Sequence, residues 1–209
     1  MIPGKHPSEE IQQKTIDDIL EKIESTAPND SAVFFFDPMH QVHNNENSYC
    51  WQFKGKNKTK TVMSNTGRRR INIVGAINAI SLKPTIILTE SNCNKELILE
   101  YIKHLKEEYK DKKKIIIILD NASYNRAYEV QDYAAENQIE LFYLPPYSPN
   151  LNLIERLWRF FKKKVMKNKY YKDFKEFEKN VTNFFENFDT YNAELKKLLT
   201  LNFGIIKAN

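Results

Sequence analysis

Three acidic residues occupy positions where a carboxylate could bind a metal ion or take part in catalysis, and not only interact with solvent. Asp37 follows the apolar run "AVFFF", Asp120 follows "IIIIL", and Glu155 falls in the first turn of a predicted helix. Three carboxylates brought close together cannot all stay ionised unless a cation compensates their charge. Hard oxygen ligands suit Mg²⁺ or Mn²⁺, and two such ions would activate an attacking oxygen and stabilise a leaving one. We therefore predict a two-ion metal site formed by these three residues.

Each acid also has an ordinary structural interpretation. Aspartates commonly end strands and start turns, and Asp37 directly precedes Pro38. Asn152 and Glu155 have the spacing of a capping box, in which the glutamate bonds the backbone at the start of its helix. The metal hypothesis therefore depends on the three acids converging.

The predicted elements place the acids at one edge of a sheet. A run of strands followed by alternating helices and strands predicts an α/β fold, a mixed β-sheet flanked by helices on both faces. If the strands that end at Asp37 and Asp120 are parallel neighbours, their carboxylates meet. We predict helices over about 9–25, 94–110 and 124–137, strands over 32–36, 48–54, 70–80, 85–90, 115–119 and 139–144, a turn at "PPYSPN", a helix from 154 to 165, and a last helical region within 172–200.

Two basic stretches flank the acidic residues. Residues 54–70 contain seven Lys and Arg and no acid, and residues 156–172 contain eight and no acid. Lysine runs usually form a solvated helix face, but two acid-free stretches beside a carboxylate site are better explained by the phosphates of nucleic acid. The predicted DNA-binding residues are Lys54, Lys56, Lys58, Arg68, Arg69, Arg70, Arg156, Arg159, Lys162 and Lys163, and the predicted supporting residues are His40, Asn121, Asn125, Tyr147 and Asn152.

Composition excludes several other classes of protein. The chain of 209 residues has 41% hydrophobic residues, a net charge of +5 and a pI of about 9.0. No apolar run approaches the roughly 18 residues of a membrane span. Cys50 and Cys93 show no metal-type spacing, so we expect a reduced, cytoplasmic protein with no membrane contact. His40 and His43 lack the partners of a zinc site, and no glycine-rich phosphate loop or G-x-S-x-G motif is present.

Four segments carry a family resemblance: "FFFDPMHQVHN", "GRRRINIVGAIN", "IIIILDNASYN" and "LPPYSPNLNLIERLWRFFKK". Together they resemble the DDE catalytic domain of bacterial insertion-sequence transposases of the Tc/mariner superfamily, over about residues 31–177. The resemblance implies an RNase H-like fold and a D-D-E triad, matched by Asp37, Asp120 and Glu155 with 34 residues between the last two. It also implies Mg²⁺- or Mn²⁺-dependent cutting of double-stranded DNA at transposon ends. Transfer of the freed 3′-OH to target DNA, typically at TA, would follow.

The same resemblance implies a homodimer associated with the nucleoid. We divide the chain into an N-terminal arm with a short helix (1–30), the catalytic domain (31–190) and a C-terminal helical tail (191–209). The family's helix-turn-helix region does not fit into the first 30 residues. Three alternatives follow: one product of a split gene, with a separate helix-turn-helix polypeptide that recognises the element ends, a truncated element, or an excised domain.

One position departs from the family pattern. Relatives carry histidine where this chain has Asn125. Asparagine forms hydrogen bonds but carries no proton at neutral pH. The alternatives are therefore a catalytically decayed or repurposed DNA-binding domain, or another RNase H-like nuclease.

Overall fold

A five-stranded mixed sheet forms the centre of the protein. The computed structural model describes residues 6–27, 29–46, 49, 51, 53–55 and 63–207. The strand order is β3-β2-β1-β4-β5, with β1 parallel to β4, β4 parallel to β5, and β2 antiparallel to both β1 and β3. The predicted mixed sheet is confirmed, and the two aspartate-bearing strands are parallel neighbours, which is the condition under which their carboxylates meet. The strands are β1 (Ser31–Val42), β2 (Arg70–Asn78), β3 (Pro84–Thr89), β4 (Lys114–Leu119) and β5 (Ile139–Tyr143).

Six α-helices surround this sheet in the described residues. Three of them begin at a side-chain cap, because Ser8, Asn94 and Asp173 each accept a hydrogen bond from the backbone N–H three residues later. None of the described helices is long and apolar enough to cross a membrane. The helices are α1 (Glu9–Glu24), α2 (Lys95–Glu108), α3 (Tyr128–Glu136), α4 (Ile154–Phe161), which continues into a π-helical turn (Lys162–Met166), α5 (Phe174–Glu186) and α6 (Asn192–Leu198).

The two faces of the sheet pack against different helices. Side chains alternate along a strand, so Val33 and Phe35 of β1 join the core beneath α1, α4, α5 and α6, whereas Phe34 and Phe36 join the core beneath α2 and α3. Helices on both faces, as predicted for an RNase H-like fold, are confirmed.

Both ends of the chain contribute to the larger of these cores. Ile19 of α1 and Phe203 near the C-terminus are buried in it. The Gln12 side chain donates to the Ile206 carbonyl at 2.9 Å and accepts from the Ile206 N–H at 2.9 Å. The division into arm, domain and tail stays a prediction, but the described parts of all three segments share one core.

The first two strand predictions need correction. β1 does not end at Asp37 but continues to Val42, because β2 pairs with it from Phe34↔Asn78 to Val42↔Arg70. The predicted strand 48–54 is also wrong. Positions 48, 50 and 52 lie outside the described residues, and those described at 49, 51, 53 and 54 belong to no strand. Trp51 and Phe53 are exposed.

Two predicted helices are divided. The helix expected over 124–137 is a 3₁₀ turn (Ser123–Arg126) followed by α3, since Ala127 has an extended backbone conformation. The region 172–200 is α5, a 3₁₀ turn (Phe188–Tyr191) and α6. Asn187 ends α5, and its side chain donates to the Asn183 carbonyl at 3.0 Å, in the way that asparagine competes with helical backbone bonds.

Candidate active site

Strand pairing brings the two aspartates together. The parallel register of β1 and β4 ends at Phe35↔Ile118, and Asp37 and Asp120 each lie two residues beyond that pair. By alternation Asp37 shares the sheet face of Phe35, and Asp120 follows Ile118 on the same side. This is the face covered by α4, whose first turn carries Glu155.

The three acids line one cavity. It has a volume of about 460 Å³, and the turn 145–149 forms one of its walls. Three of the predicted supporting residues, Asn121, Tyr147 and Asn152, line the same cavity. Tyr147 is held with a positive φ of 57° and remains 56% exposed, which leaves its ring at the mouth of the cavity.

Asp37 is partly buried and is held by a residue that is distant in the sequence. The Trp158 indole Nε1–H donates to Asp37 Oδ2 at 3.1 Å. Burial raises the pKa of Asp37 well above its usual value, and the negative charges of Glu155 and Asp120 raise it further, against the lowering effect of the Trp158 hydrogen bond. A cation in the cavity would favour the ionised form of this carboxylate.

Gly75 makes room for that tryptophan. It pairs with Asp37 across the β1–β2 register. A Cβ atom at Gly75 would lie 2.9 Å from Trp158 Cη2 and 2.5 Å from Ile86 Cδ1. Sequence reasoning missed both Gly75 and the role of Trp158. The spacing of Trp158 three residues after Glu155 places the two on one side of the helix, which was the available signal.

Asp120 is held by residues close to it in sequence. Its Oδ1 accepts from the Ala122 N–H at 3.1 Å and from Asn125 Nδ2 at 2.7 Å. Tyr143 donates its hydroxyl hydrogen to the Asn125 carbonyl at 2.9 Å, and Asn125 itself is fully buried. At the position where a histidine was expected, this chain therefore has a neutral side chain that orients Asp120.

Glu155 does not form the capping box. The Asn152 N–H donates to the Pro149 carbonyl at 3.3 Å, and the Asn152 side chain donates to the Phe36 carbonyl at 3.1 Å. Asn152 thereby ties the start of α4 to β1, next to Asp37. Burial raises the pKa of Glu155, while the positive charges of Arg159 and Lys162 oppose that rise.

The donor set suits a divalent cation. Carboxylates that burial and mutual repulsion make costly to ionise are stabilised by a bound metal ion, and oxygen donors match Mg²⁺ and Mn²⁺. No group of three or more His, Cys, Asp and Glu side chains among the described residues is arranged to hold one ion by itself. The predicted two-ion site stays a prediction.

His40 lies apart from the acids. Three positions after Asp37 on β1, it falls on the opposite sheet face and does not line the cavity. Its Nδ1 is 2.5 Å from Oδ1 of the buried Asn72.

Among the predicted DNA-binding arginines, three have partners within the protein. Arg69 donates to both oxygens of Glu90 at 2.8 and 2.9 Å and stacks 3.5 Å from the Phe174 ring centroid. Arg70 donates to Asn92 at 2.6 Å. Arg156 donates to the backbone carbonyls of Thr200 at 2.6 Å and Asn202 at 2.7 Å.

The other predicted DNA-binding residues differ in exposure and pairing. Lys162 pairs with Glu46 at 3.1 Å. Lys56 and Lys58 lie outside the described residues, and the exposed side chains are Lys54, Arg68, Arg159 and Lys163.

The sequence is similar to proteins from two organisms. It is 27% identical over 155 residues to an uncharacterized 39 kDa protein of insertion element IS630 from Shigella sonnei, covering 74% of this chain and 44% of that one. It is 28% identical over 82 residues to the uncharacterized protein y4pE/y4sA of Sinorhizobium fredii strain NBRC 101917 / NGR234, covering 39% of this chain and 58% of that one. The chain thus spans about half the length of these relatives.

Solved structures show the fold, and a family model shows the family. The pre-cleavage Mos1 transpososome is similar with a TM-score of 0.70 and 15% identity, covering 95% of this chain and 62% of that one. The catalytic domain of Mos1 mariner transposase gives a TM-score of 0.61 and 12% identity, covering 95% and 93%. The model of the DDE superfamily endonuclease family matches residues 32–178. This chain therefore belongs to the DDE superfamily endonuclease family.

Proposed function

We propose that the chain is the catalytic domain of a DNA transposase. It cuts phosphodiester bonds at the ends of a mobile element and joins the freed 3′-OH to target DNA, with TA as the target site. The observation that carries this proposal is the convergence of Asp37, Asp120 and Glu155, from two strands and a helix, on one cavity. The solved Mos1 complexes with a transposon end support DNA as the substrate.

The proposed reaction depends on Mg²⁺ or Mn²⁺, two ions held by Asp37, Asp120 and Glu155. Bound ions of this kind activate the attacking oxygen and stabilise the leaving one. The protein's own part is positioning: Trp158 orients Asp37, and Asn125 orients Asp120. Solved Mos1 catalytic-domain structures contain Mg or Mn, which supports a divalent cation here.

The predicted basic residues position the DNA. Exposed Lys54, Arg68, Arg159 and Lys163 contact phosphates and hold the duplex without reading its sequence. The chain assembles as a homodimer on paired element ends in this proposal. A separate helix-turn-helix polypeptide recognises the sequence of those ends.

The decisive experiment compares the parent with Asp120→Asn on supercoiled plasmid DNA. The parent nicks the plasmid in Mg²⁺ or Mn²⁺ and not in EDTA, whereas the variant loses at least about a hundredfold in rate, as expected when an essential charged group is removed from the site. Circular dichroism and thermal unfolding establish that the variant folds. Equal nicking by a folded Asp120→Asn protein would disprove the assignment of the acidic residues.

A DNA-binding domain without chemistry is the second candidate. Asn125 favours it, because an asparagine cannot carry the proton that a histidine at this position could carry. It predicts DNA binding with no nicking in either metal. A preference for cutting RNA–DNA hybrids would instead indicate another nuclease of the same fold.

A further inference from the structure

A second cavity lies next to the carboxylate cavity along α4. This groove, of about 680 Å³, runs between α6 and the continuous helix formed by α4 and its π-helical turn. Its α4 side is formed by residues at positions i, i+3, i+4, i+7 and i+11, which is one face of a helix. Those residues are Arg156, Arg159, Phe160, Lys163 and Lys167, and α6 contributes Glu194, Lys197 and Leu198.

The positive charges in this groove are largely uncompensated. No carboxylate in the described part of the chain forms an ion pair with Arg159, Lys163, Lys167 or Lys197. Glu194, the one acid among the described residues that line the groove, is neutralised by Lys164 at 2.7 Å. Clustered charge of one sign in a concave surface concentrates ions of the opposite sign. The groove therefore suits an anionic partner.

Both walls of the groove are fixed. In the π-helical turn the Lys167 N–H donates to the Lys162 carbonyl at 2.9 Å, and the following Asn168 N–H donates to the Glu46 carbonyl at 2.9 Å. On the other wall, Arg156 binds the carbonyls of Thr200 and Asn202, directly after α6. The cations are thus held on rigid elements, which reduces the entropy lost when a ligand binds.

The groove's chemistry suits phosphate more than bases. Phe160 is only 6% exposed, and Lys164 lies over its ring at 5.1 Å, so this ring is not available for base stacking. Among the groove's other lining residues there is no aromatic side chain. Lysine and arginine at a surface without a stacking platform bind the sugar-phosphate backbone and not a base sequence.

We propose that this groove binds the phosphate backbone of duplex DNA beside the bond that the carboxylate site cuts. Arg159 lines the groove one helical turn after Glu155, so a duplex in the groove passes directly beside the carboxylate cavity. The placement of the groove beside the cut bond rests on the proposed function. The binding of DNA phosphates rests only on the charge and shape of the groove. Lys167 and Lys197, absent from the sequence-based set, become DNA-binding residues.

The test measures how the affinity for a short DNA duplex depends on salt, in EDTA so that no cutting occurs. Each lost phosphate contact lowers the slope of log affinity against log salt by about 0.9. The expected result is a slope lower by about 0.9 for Lys167→Ala and for Lys197→Ala, and by about 1.8 for the double variant. Lys103→Ala is the matched control. Lys103 is also an exposed lysine, but it lies on α2, which packs on the opposite face of the sheet from the groove.

The outcomes separate the groove from the catalytic proposal. An unchanged slope in the double variant, or the same loss in Lys103→Ala, would overturn the groove assignment even if the parent nicks plasmid DNA. A slope loss confined to the groove variants supports the groove even if the parent does not nick. In that case the transposase proposal fails while the DNA-binding groove stands.

Discussion

Asp37 and Asp120 lie on neighbouring strands on the same face of the sheet, yet they are held in opposite ways. Asp120 is fixed by Ala122 and Asn125, which follow it within five residues. Asp37 is fixed by Trp158, which is 121 positions away in the sequence. One half of the acidic site is therefore local, and the other half forms only when α4 docks on the sheet.

This difference links the first acid to the third. The helix that carries Glu155 also supplies the Trp158 N–H for Asp37, and Asn152 fastens its start to the Phe36 carbonyl at 3.1 Å. Docking of α4 therefore completes two of the three acidic positions in one step. Damage to this packing should disturb Asp37 and Glu155 together and leave the surroundings of Asp120 intact.

The largest effect is expected for Trp158→Ala, which removes the long-range support of Asp37. Trp158 is 3% exposed, so truncation lowers the free energy of unfolding by about 3–5 kcal/mol. Urea unfolding measures this loss.

Trp158→Phe serves as the comparison, since it keeps most of the ring packing but has no N–H for Asp37. We expect it to fold and to nick DNA more slowly, with a higher metal concentration needed for half-maximal rate. Parent-like metal dependence in Trp158→Phe would show that the N–H does not position Asp37.

A smaller effect is expected for Gly75→Ala, which leaves Trp158 in place but crowds it. The added Cβ would stand 2.9 Å from Trp158 Cη2 and 2.5 Å from Ile86 Cδ1, and such overpacking costs about 1–3 kcal/mol. The free energy of unfolding measured in urea and the nicking rate should both fall. Gly75→Ala combined with Ile86→Val tests the cause, because the smaller side chain relieves one of the two contacts. A double variant no more stable than Gly75→Ala would locate the strain elsewhere.

The smallest effect on stability is expected for Asn125→Ala, at the local aspartate. The substitution removes one hydrogen-bond donor to Asp120, but the Ala122 N–H still donates to it. It also removes Asn125 Oδ1, a buried oxygen that has no hydrogen-bond partner among the described residues. The free energy of unfolding should fall by about 0.5–1.5 kcal/mol. Nicking should slow without a change in the DNA concentration at half-maximal rate. A stability loss as large as that of Trp158→Ala would contradict the local character of this half of the site.

The local half of the site was the part that the sequence could predict. An aspartate after five buried aliphatic residues, followed by Asn121 and Asn125, indicates a strand end whose contacts are near in sequence. These features depend on short-range patterns, which can be recognised without knowledge of the tertiary structure. The parallel pairing of β1 and β4 entered the prediction only as a condition, and the structure shows it.

Pairing across the molecule was the part that the sequence could not predict. Asp37 was expected to end a strand, because nothing near it shows that β2 continues the pairing to Val42. Charge alone does not distinguish Arg156, which binds backbone carbonyls, from Arg159, which lines the groove without an ion-pair partner among the described residues. Gly75 acquires its importance only from the ring that packs over it.

The unequal lengths of β1 and β4 give the sheet a step. β1 is paired with β4 only as far as Phe35, while its pairing with β2 continues to Val42. The notch beside the longer strand is bounded by β1 on one side and by the turn 145–149 on another, so strand length and turn conformation set its shape together. If β4 were longer by two paired residues, it would fill the notch. Asp120 would then lie inside a strand instead of directly after one.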